Sequence, residues 1–334
     1  MITAELRQAV LAAAGPGTAA GPGTGDPLLR PGPAPGSYTT ALPFRLSPDP
    51  GTAATHLAGR LREEPWIATA EVTVPGFVTV TVTHATLARL ALRIARAGPA
   101  CAASDALTGR TVGAPPETPL ALPVSGPVSG AKSWPQARAA LAAQLTARLA
   151  VTAGALINPE RAAVPASAPP SRGPVADAVD WAGADAVRFA LARMPPGGEP
   201  PDPAVVARHV LANPAYAVRY AHAAAAAVLR WAAALGIRPA GFTPRLLAEP
   251  GELALLDTLS WLPERVAVAA RRGRPDEFAG YLVELAARTI DTMNTTSFTK
   301  IADISSERLW LADAARTGLA AGLGLLGIGA PDRL

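Results

Sequence analysis

The chain has 334 residues, 49% hydrophobic but only 5% aromatic. That is enough for two ordinary domains, with alanine-rich helices packed through small side chains. A single cysteine, Cys101, excludes an internal disulfide and a Cys-rich metal site. The four histidines, His56, His84, His209 and His222, are too widely spaced for a short metal-ligand motif. The net charge of +4 suits an anionic partner, but it is unevenly placed. Residues 1–174 hold 14 basic and 9 acidic side chains, residues 175–334 hold 16 and 17. A nucleic-acid surface on the C-terminal half must therefore be a local patch.

Residues 2–14 have the spacing of a short amphipathic helix. Its apolar stretch, Ala9 to Ala14, follows Glu5 and is too short for a signal peptide or a membrane span, so the expected location is cytoplasmic, with no membrane partner. From Gly15 to Gly36, 13 of 22 residues are Gly or Pro, and residues 1–37 are read as an N-terminal helix and flexible linker. Residues 38–97 are read as a small α/β domain. It has a helix over Thr52–Glu63, a Val/Thr alternation from Ala70 to Thr83 and a helix over Thr86–Ala97. The alternation makes either two strands or one bent strand at Pro75-Gly76. Val78, Val80 and Val82 share one face, and Thr79, Thr81 and Thr83 the other. Residues 98–174 are read as a Pro/Gly-rich linker with one helix, Pro135 to Ala153.

From Val175 to residue 334 the pattern is helical. Asp202-Pro203 offers an N-cap acceptor and a proline at the first helical position, and Pro214 breaks the helix it opens. A second helix runs from Pro214 to Leu235 and stops at Gly236. Further helices are predicted over 243–262, 263–272, 275–297 and 303–326. The predicted fold class is α+β: a small N-terminal α/β domain, a Pro/Gly-rich linker and a C-terminal all-α bundle.

Four segments in this region carry a resemblance. Asn213-Pro-Ala-Tyr-Ala-Val-Arg-Tyr-Ala-His-Ala223 resembles the Asn-Pro-Val-Tyr-Tyr-Val-Gln-Tyr-Ala-His-Ala-Arg run of arginyl-tRNA synthetases. Gly183-Ala-Asp-Ala-Val-Arg-Phe189 looks like the Gly-Ala-Asp-Ala-Leu-Arg-Tyr segment that gives the DALR domain its name. Pro275 to Asn294 and the closing Leu323 to Leu334 are similar to further family segments, in the same order. Pro75-Gly76-Phe77-Val78 resembles the family's Pro-Gly-Phe-Ile strand in an N-terminal domain that touches the tRNA elbow. The resemblance implies that residues 175–334 are a DALR-type anticodon-binding helical domain and that the partner is a tRNA, tRNA-Arg being the candidate species.

Class I synthetases also need a Rossmann domain with His-Ile-Gly-His and Lys-Met-Ser-Lys motifs. Thr55-His56-Leu57-Ala58-Gly59 and Ala131-Lys132-Ser133 are no match for them. Residues 98–174 are too short and Pro-rich for a doubly wound sheet. The expectation is a non-catalytic relative of arginine–tRNA ligase, with no catalytic residue, no cofactor and no metal.

On the Pro214–Leu235 helix, Ala217, Ala221, Val228, Ala232 and Leu235 cluster on one side and should pack inward. Arg219, His222 and Arg230 cluster opposite, flanked by Tyr216 and Tyr220. Arginines with aromatic neighbours can meet phosphates and stack on unpaired bases, whereas the plainer reading is a solvated face with half-buried tyrosines. The expected tRNA-binding residues are Asn213, Tyr216, Arg219, Tyr220, Arg230 and Asn294. The alternative for Asn294 is a helix C-cap, and for His222 a packing role. Arg271, Arg272 and Arg274 could touch phosphate or form a solvated helix end. Where the family has a second Tyr, a Gln and an Arg, this chain has Ala217, Arg219 and Ala224. The rival reading is a protein–protein interaction module that reuses the bundle without binding RNA.

Overall fold

The structure is a computed structural model, and it describes residues 1–15, 26, 27, 29–113, 133–158, 174–300 and 304–334. Helix α1 (Ile2–Ala14) buries Ile2, Leu6, Val10 and Ala13, the stripe that its spacing predicts. Strands β1 (Leu29–Pro31) and β2 (Ser37–Thr40) follow, then helices α2 (Pro43–Leu46) and α3 (Pro50–Leu61). Asp49 caps α3 by accepting from the Gly51 and Thr52 amides, with Pro50 at the first position.

The Val/Thr alternation forms a hairpin of β3 (Ile67–Thr73) and β4 (Phe77–Val82) around a cis Val74–Pro75 bond. Val78, Val80 and Val82 are buried while Thr79 and Thr81 are half-exposed, as one covered sheet face requires. Thr83 leaves the strand and caps α4 (His84–Ala97) through its hydroxyl, so that helix starts two residues before the periodicity placed it. The four strands pair antiparallel in the order β1-β2-β4-β3. Leu29–Pro31 thus lies in a strand inside the stretch read as flexible linker. As the edge strand it tolerates a proline, which cannot donate to a ladder. Residues 16–25 and 28 of that stretch lie outside the described residues.

Beyond α4 come a 3₁₀ turn (Gly98–Ala102), strand β5 (Thr111–Gly113), helix α5 (Trp134–Thr152) and strand β6 (Leu156–Asn158), which pairs parallel with β5. Ser133 caps α5. Ala137, Leu141, Leu145 and Leu149 are buried at four-residue spacing, so this helix belongs to the core. The other Pro/Gly-rich parts of 98–174, at 114–132 and 159–173, lie outside the described residues.

The remaining helices are α6 (Pro174–Ala182), α7 (Ala184–Arg193), α8 (Pro203–Val206), α9 (Pro214–Ala234), α10 (Pro250–Ser260), α11 (Leu262–Arg272), α12 (Pro275–Met293), α13 (Thr296–Thr299) and α14 (Ser306–Leu326). The helix opened by Asp202-Pro203 lasts only one turn. The carbonyls of Val206 and Arg208 accept from the Asn213 side-chain amide instead of from a continuing helix. Helix α10 starts at Pro250, where Glu249 and Glu252 make a capping box. Among the described residues no helix is long and apolar enough to cross a membrane.

Helix α14 is buried nearly all round and lies at the centre, against α4, α9 and α12. The N-terminal sheet and the helical bundle share one continuous core. Between them, the buried Tyr38 ring sits 5.3 Å from that of Trp261, and its hydroxyl donates to Ser260 Oγ at 2.8 Å. Thr3 Oγ1 donates to the Ser260 carbonyl at 2.9 Å, and the Gly36 amide to Asp257 Oδ1 at 2.9 Å.

Candidate functional site

The residues singled out on α9 occupy three different settings. Asn213 is the N-cap: Oδ1 accepts from the Ala215 amide at 3.1 Å, and Nδ2 donates to Val206 O at 2.8 Å and Arg208 O at 2.7 Å. It is 5% exposed. With both ends of its amide engaged, it holds the start of the helix and the preceding turn, and offers little to a ligand.

Tyr216 and Tyr220, one turn apart, stack with ring centroids at 5.8 Å and planes 28° apart. His209, exposed in the turn before α9, extends the row at 5.4 Å from Tyr216 and 12°. Three ring faces therefore form a short ladder at the surface, beside the exposed Arg208. Such a platform can receive a flat, unpaired base, and every base has a π-face to offer. The distribution of Gly, Pro and charge gives no hint that His209 belongs with the tyrosines. The turn that brings it back depends on the Asn213 bonds.

Arg219 is half-buried, and its Nε is buried without a hydrogen-bond partner among the described residues. Of His222 and Arg230, expected on the same outward stripe, the first is buried and the second half-buried, and each meets the segment Gly327–Leu334. The Pro331 carbonyl lies 3.0 Å from His222 Nδ1, and Arg230 Nη1 donates to the Asp332 carbonyl. Burial, the leading cause, pushes the His222 pKa down, which fits the packing role. Leu235, expected inward, is 45% exposed past the end of α9. Asn294 is the exposed C-cap residue of α12, with no hydrogen bond or ring contact to the α9 residues among those described. The basic cluster is neutralised locally: Arg271 pairs with Asp26, Arg272 with Glu277 and Arg274 with Asp276.

Sequence reasoning used Gly183–Phe189 only as a marker of resemblance. In the structure its Arg188 is 2% exposed and donates through Nε to Leu326 O at 2.6 Å and through Nη2 to Gln144 Oε1 at 3.1 Å. Its Asp185 accepts from the Gly329 amide at 3.2 Å. Both residues therefore grip the end of α14 and the segment that runs on to α9.

Residues 218–334 match the protein family described as the DALR anticodon binding domain. The arginine–tRNA ligase of Clavibacter sepedonicus is 40% identical over 164 residues, covering 47% of this chain and 30% of the ligase. That of Kineococcus radiotolerans is 37% identical over 196 residues, covering 56% and 35%. The chain thus spans about a third of the length of the curated relatives it matches. Among solved structures, Thermus thermophilus arginyl-tRNA synthetase aligns with 61% of this chain and 39% of its own at 25% identity, with a TM-score of 0.38.

Proposed function

We propose, from the premise that the C-terminal part of this chain is a DALR anticodon-binding domain, that the protein binds tRNA through the start of α9 without charging it. The carrying observation is the solvent-facing ladder of His209, Tyr216 and Tyr220. A loop base stacks on that ladder, while Arg208 and Arg219 lie where neighbouring phosphates pass. tRNA-Arg is the species to test first, because the relatives that match over this region are named arginine–tRNA ligases.

The non-catalytic half of the proposal has its own support. The N-terminal unit packs directly on α10 and Trp261 after it, through Thr3 of α1, Gly36 and Tyr38 of β2. Residues 98–174, which join the two units, carry neither a His-Ile-Gly-His nor a Lys-Met-Ser-Lys sequence. The similarity to the ligases covers 30% to 35% of their length.

Fluorescence titration of the full chain with tRNA-Arg and with unrelated tRNAs, at several salt concentrations, tests the binding. The expected result is saturable binding that weakens with salt and prefers tRNA-Arg. In the same preparation, arginine-dependent ATP–pyrophosphate exchange is expected to stay at the no-enzyme level, and a clear excess would overturn the non-catalytic reading.

A protein partner is the second reading. Trp181, Val205, Val210 and Leu211 are between 46% and 72% exposed, on and around α6 and α8, which pack together. Exposed apolar groups of this kind are a feature of protein-binding surfaces. Recovery of a stoichiometric protein without RNA from the native complex would favour it.

A further inference from the structure

We propose that Asp185 and Arg188 are positioning residues for the RNA face. They fix the segment Gly327–Leu334 across α9, and that segment forms one wall of the surface that meets the RNA loop. The inference rests on the RNA-binding reading above and assigns a role to two residues that do not themselves face the ligand.

The end of α14 and the segment that follows it are held at four stations, the first on the helix and the other three on the segment. At the first, the last carbonyls of α14 accept from two guanidinium groups. Arg188 takes Leu326 O, and Arg148 of α5 takes Gly324 O at 3.0 Å and Leu325 O at 3.3 Å. Cations belong at a helix C-terminus, where unpaired carbonyls carry the negative end of the dipole. Arg188 holds this place from inside the bundle, where burial and then the nearby Arg148 push its pKa down to about 10. It is still a cation at neutral pH.

Gly327 then turns the chain in the left-handed region, φ 72°, while the Ile328 amide donates back to Leu323 O. At the second station Asp185 Oδ2 accepts from the Gly329 amide. Asp185 Oδ1 is buried with no partner among the described residues. A Cβ on Gly329 would stand 3.1 Å from Asp185 Oδ2, so the backbone passes close to the carboxylate. The third and fourth stations are Pro331 O at His222 and Asp332 O at Arg230.

Those last two stations lie on the stripe of α9 that carries Arg219, three residues before His222. The outward face of α9 is therefore a composite, part helix and part segment, with Arg333 exposed beside it. A ligand that approaches Arg219 also meets the segment. If Asp185 and Arg188 let go, the start of the segment keeps only the Ile328 amide bond to Leu323 O and the buried Ile328 side chain, while α9 keeps its own helical bonds.

The test uses four full-length or shortened forms: the parent, Asp185→Ala, which removes the acceptor of the Gly329 amide, a chain ending at Gly327, and the two changes combined. Arg188→Lys serves as a second probe of the first station. The ligand is a tRNA-Arg anticodon stem-loop, and hydrogen exchange at residues 328–334 is read without RNA.

Asp185→Ala is expected to speed exchange at Gly329 and beyond by about tenfold and to weaken RNA binding by about tenfold, as loss of a charge-assisted hydrogen bond would. In the shortened chain the same substitution should change affinity less than about twofold, because its target is gone. The inference is overturned if Asp185→Ala weakens binding equally in the full and shortened chains, or if exchange stays as in the parent. It is overturned too if removal of the segment leaves affinity unchanged. If the parent binds no RNA at all, the RNA-binding reading itself fails and the role falls with it. Intact parental binding with no effect of Asp185→Ala overturns the positioning role alone.

Discussion

Tyr216 stacks between His209 and Tyr220 and is still half-buried, with part of the ring row open. If a base stacks on an outer end of that row, Tyr216→Ala, which removes the middle ring that aligns His209 and Tyr220, should weaken RNA binding by up to roughly 1–3 kcal/mol, the scale of a base–aromatic stack. Tyr216→Phe should keep most of it. Titration with loops of different sequence checks the point, and parental affinity in the alanine variant would rule the ladder out. Asn213 should behave in the opposite way. Its amide caps α9 and closes the turn before it, so Asn213→Ala should cost about 1–2 kcal/mol in urea unfolding. Its effect on RNA binding should follow only from the loosened turn that holds His209. The two arginines also part company. Arg219→Ala should lower the salt slope of binding by about one. Arg230→Ala should lower it less, because that guanidinium is turned to the Asp332 carbonyl.

At the scale of elements, α14 sets the tightest demands. A Cβ on Gly322 would run into the Cδ atoms of Leu282, and one on Gly318 would come within 2.8 Å of Leu259 Cδ2. These glycines let α14 approach α10 and α12 closely. Gly322→Val should destabilise the fold by about 1–3 kcal/mol through overpacking. Gly324 is exposed in the same helix, with nothing within 4 Å of an added Cβ. Gly324→Ala should therefore stabilise it by about 0.5–1 kcal/mol. Thermal unfolding of the two variants should move in opposite directions. The elements themselves were largely legible. Asp202-Pro203, Pro214, Gly236 and Gly273 mark real helix ends, because caps and breakers act over neighbouring residues. The outward face of α9 was not legible. His222 and Arg230 meet backbone carbonyls about a hundred positions further on. A helical wheel shows which side chains share a side, but not which distant backbone will lie over them. Leu235 reads as inward and is exposed for a local reason, since α9 ends one residue before it.

At the scale of the whole molecule, the N-terminal unit and the helical bundle close over two acidic side chains. Glu264 of α11 is 7% exposed, and its pKa is pushed up to about 7. Burial is the main cause and the nearby Asp26 adds to it, while Arg271, Arg7 and Arg265 pull the other way. Asp257 of α10 is raised to about 6, again mainly by burial, with Glu284 adding and the Gly36 amide and Arg288 opposing. A carboxyl group whose pKa is higher folded than unfolded holds its proton longer in the native state. Its contribution to stability is complete below the ordinary value of 4.5 and is lost as pH rises through about 7. His222, whose pKa is lowered, acts in the opposite sense just below its ordinary 6.5. The parent's pH profile therefore mixes both signs, and a comparison with Glu264→Gln isolates one. The glutamine has nearly the same shape as the protonated acid and cannot ionise. Below the ordinary value of 4.5 the two proteins should melt at about the same temperature. Between pH 5 and 8 the parent should lose stability relative to the variant, so the variant's advantage should grow with pH and level off above about 7. An advantage that stays flat over that range would mean that Glu264 keeps an ordinary carboxyl pKa in the folded protein. The packing of α1 against α11 would then leave it solvated.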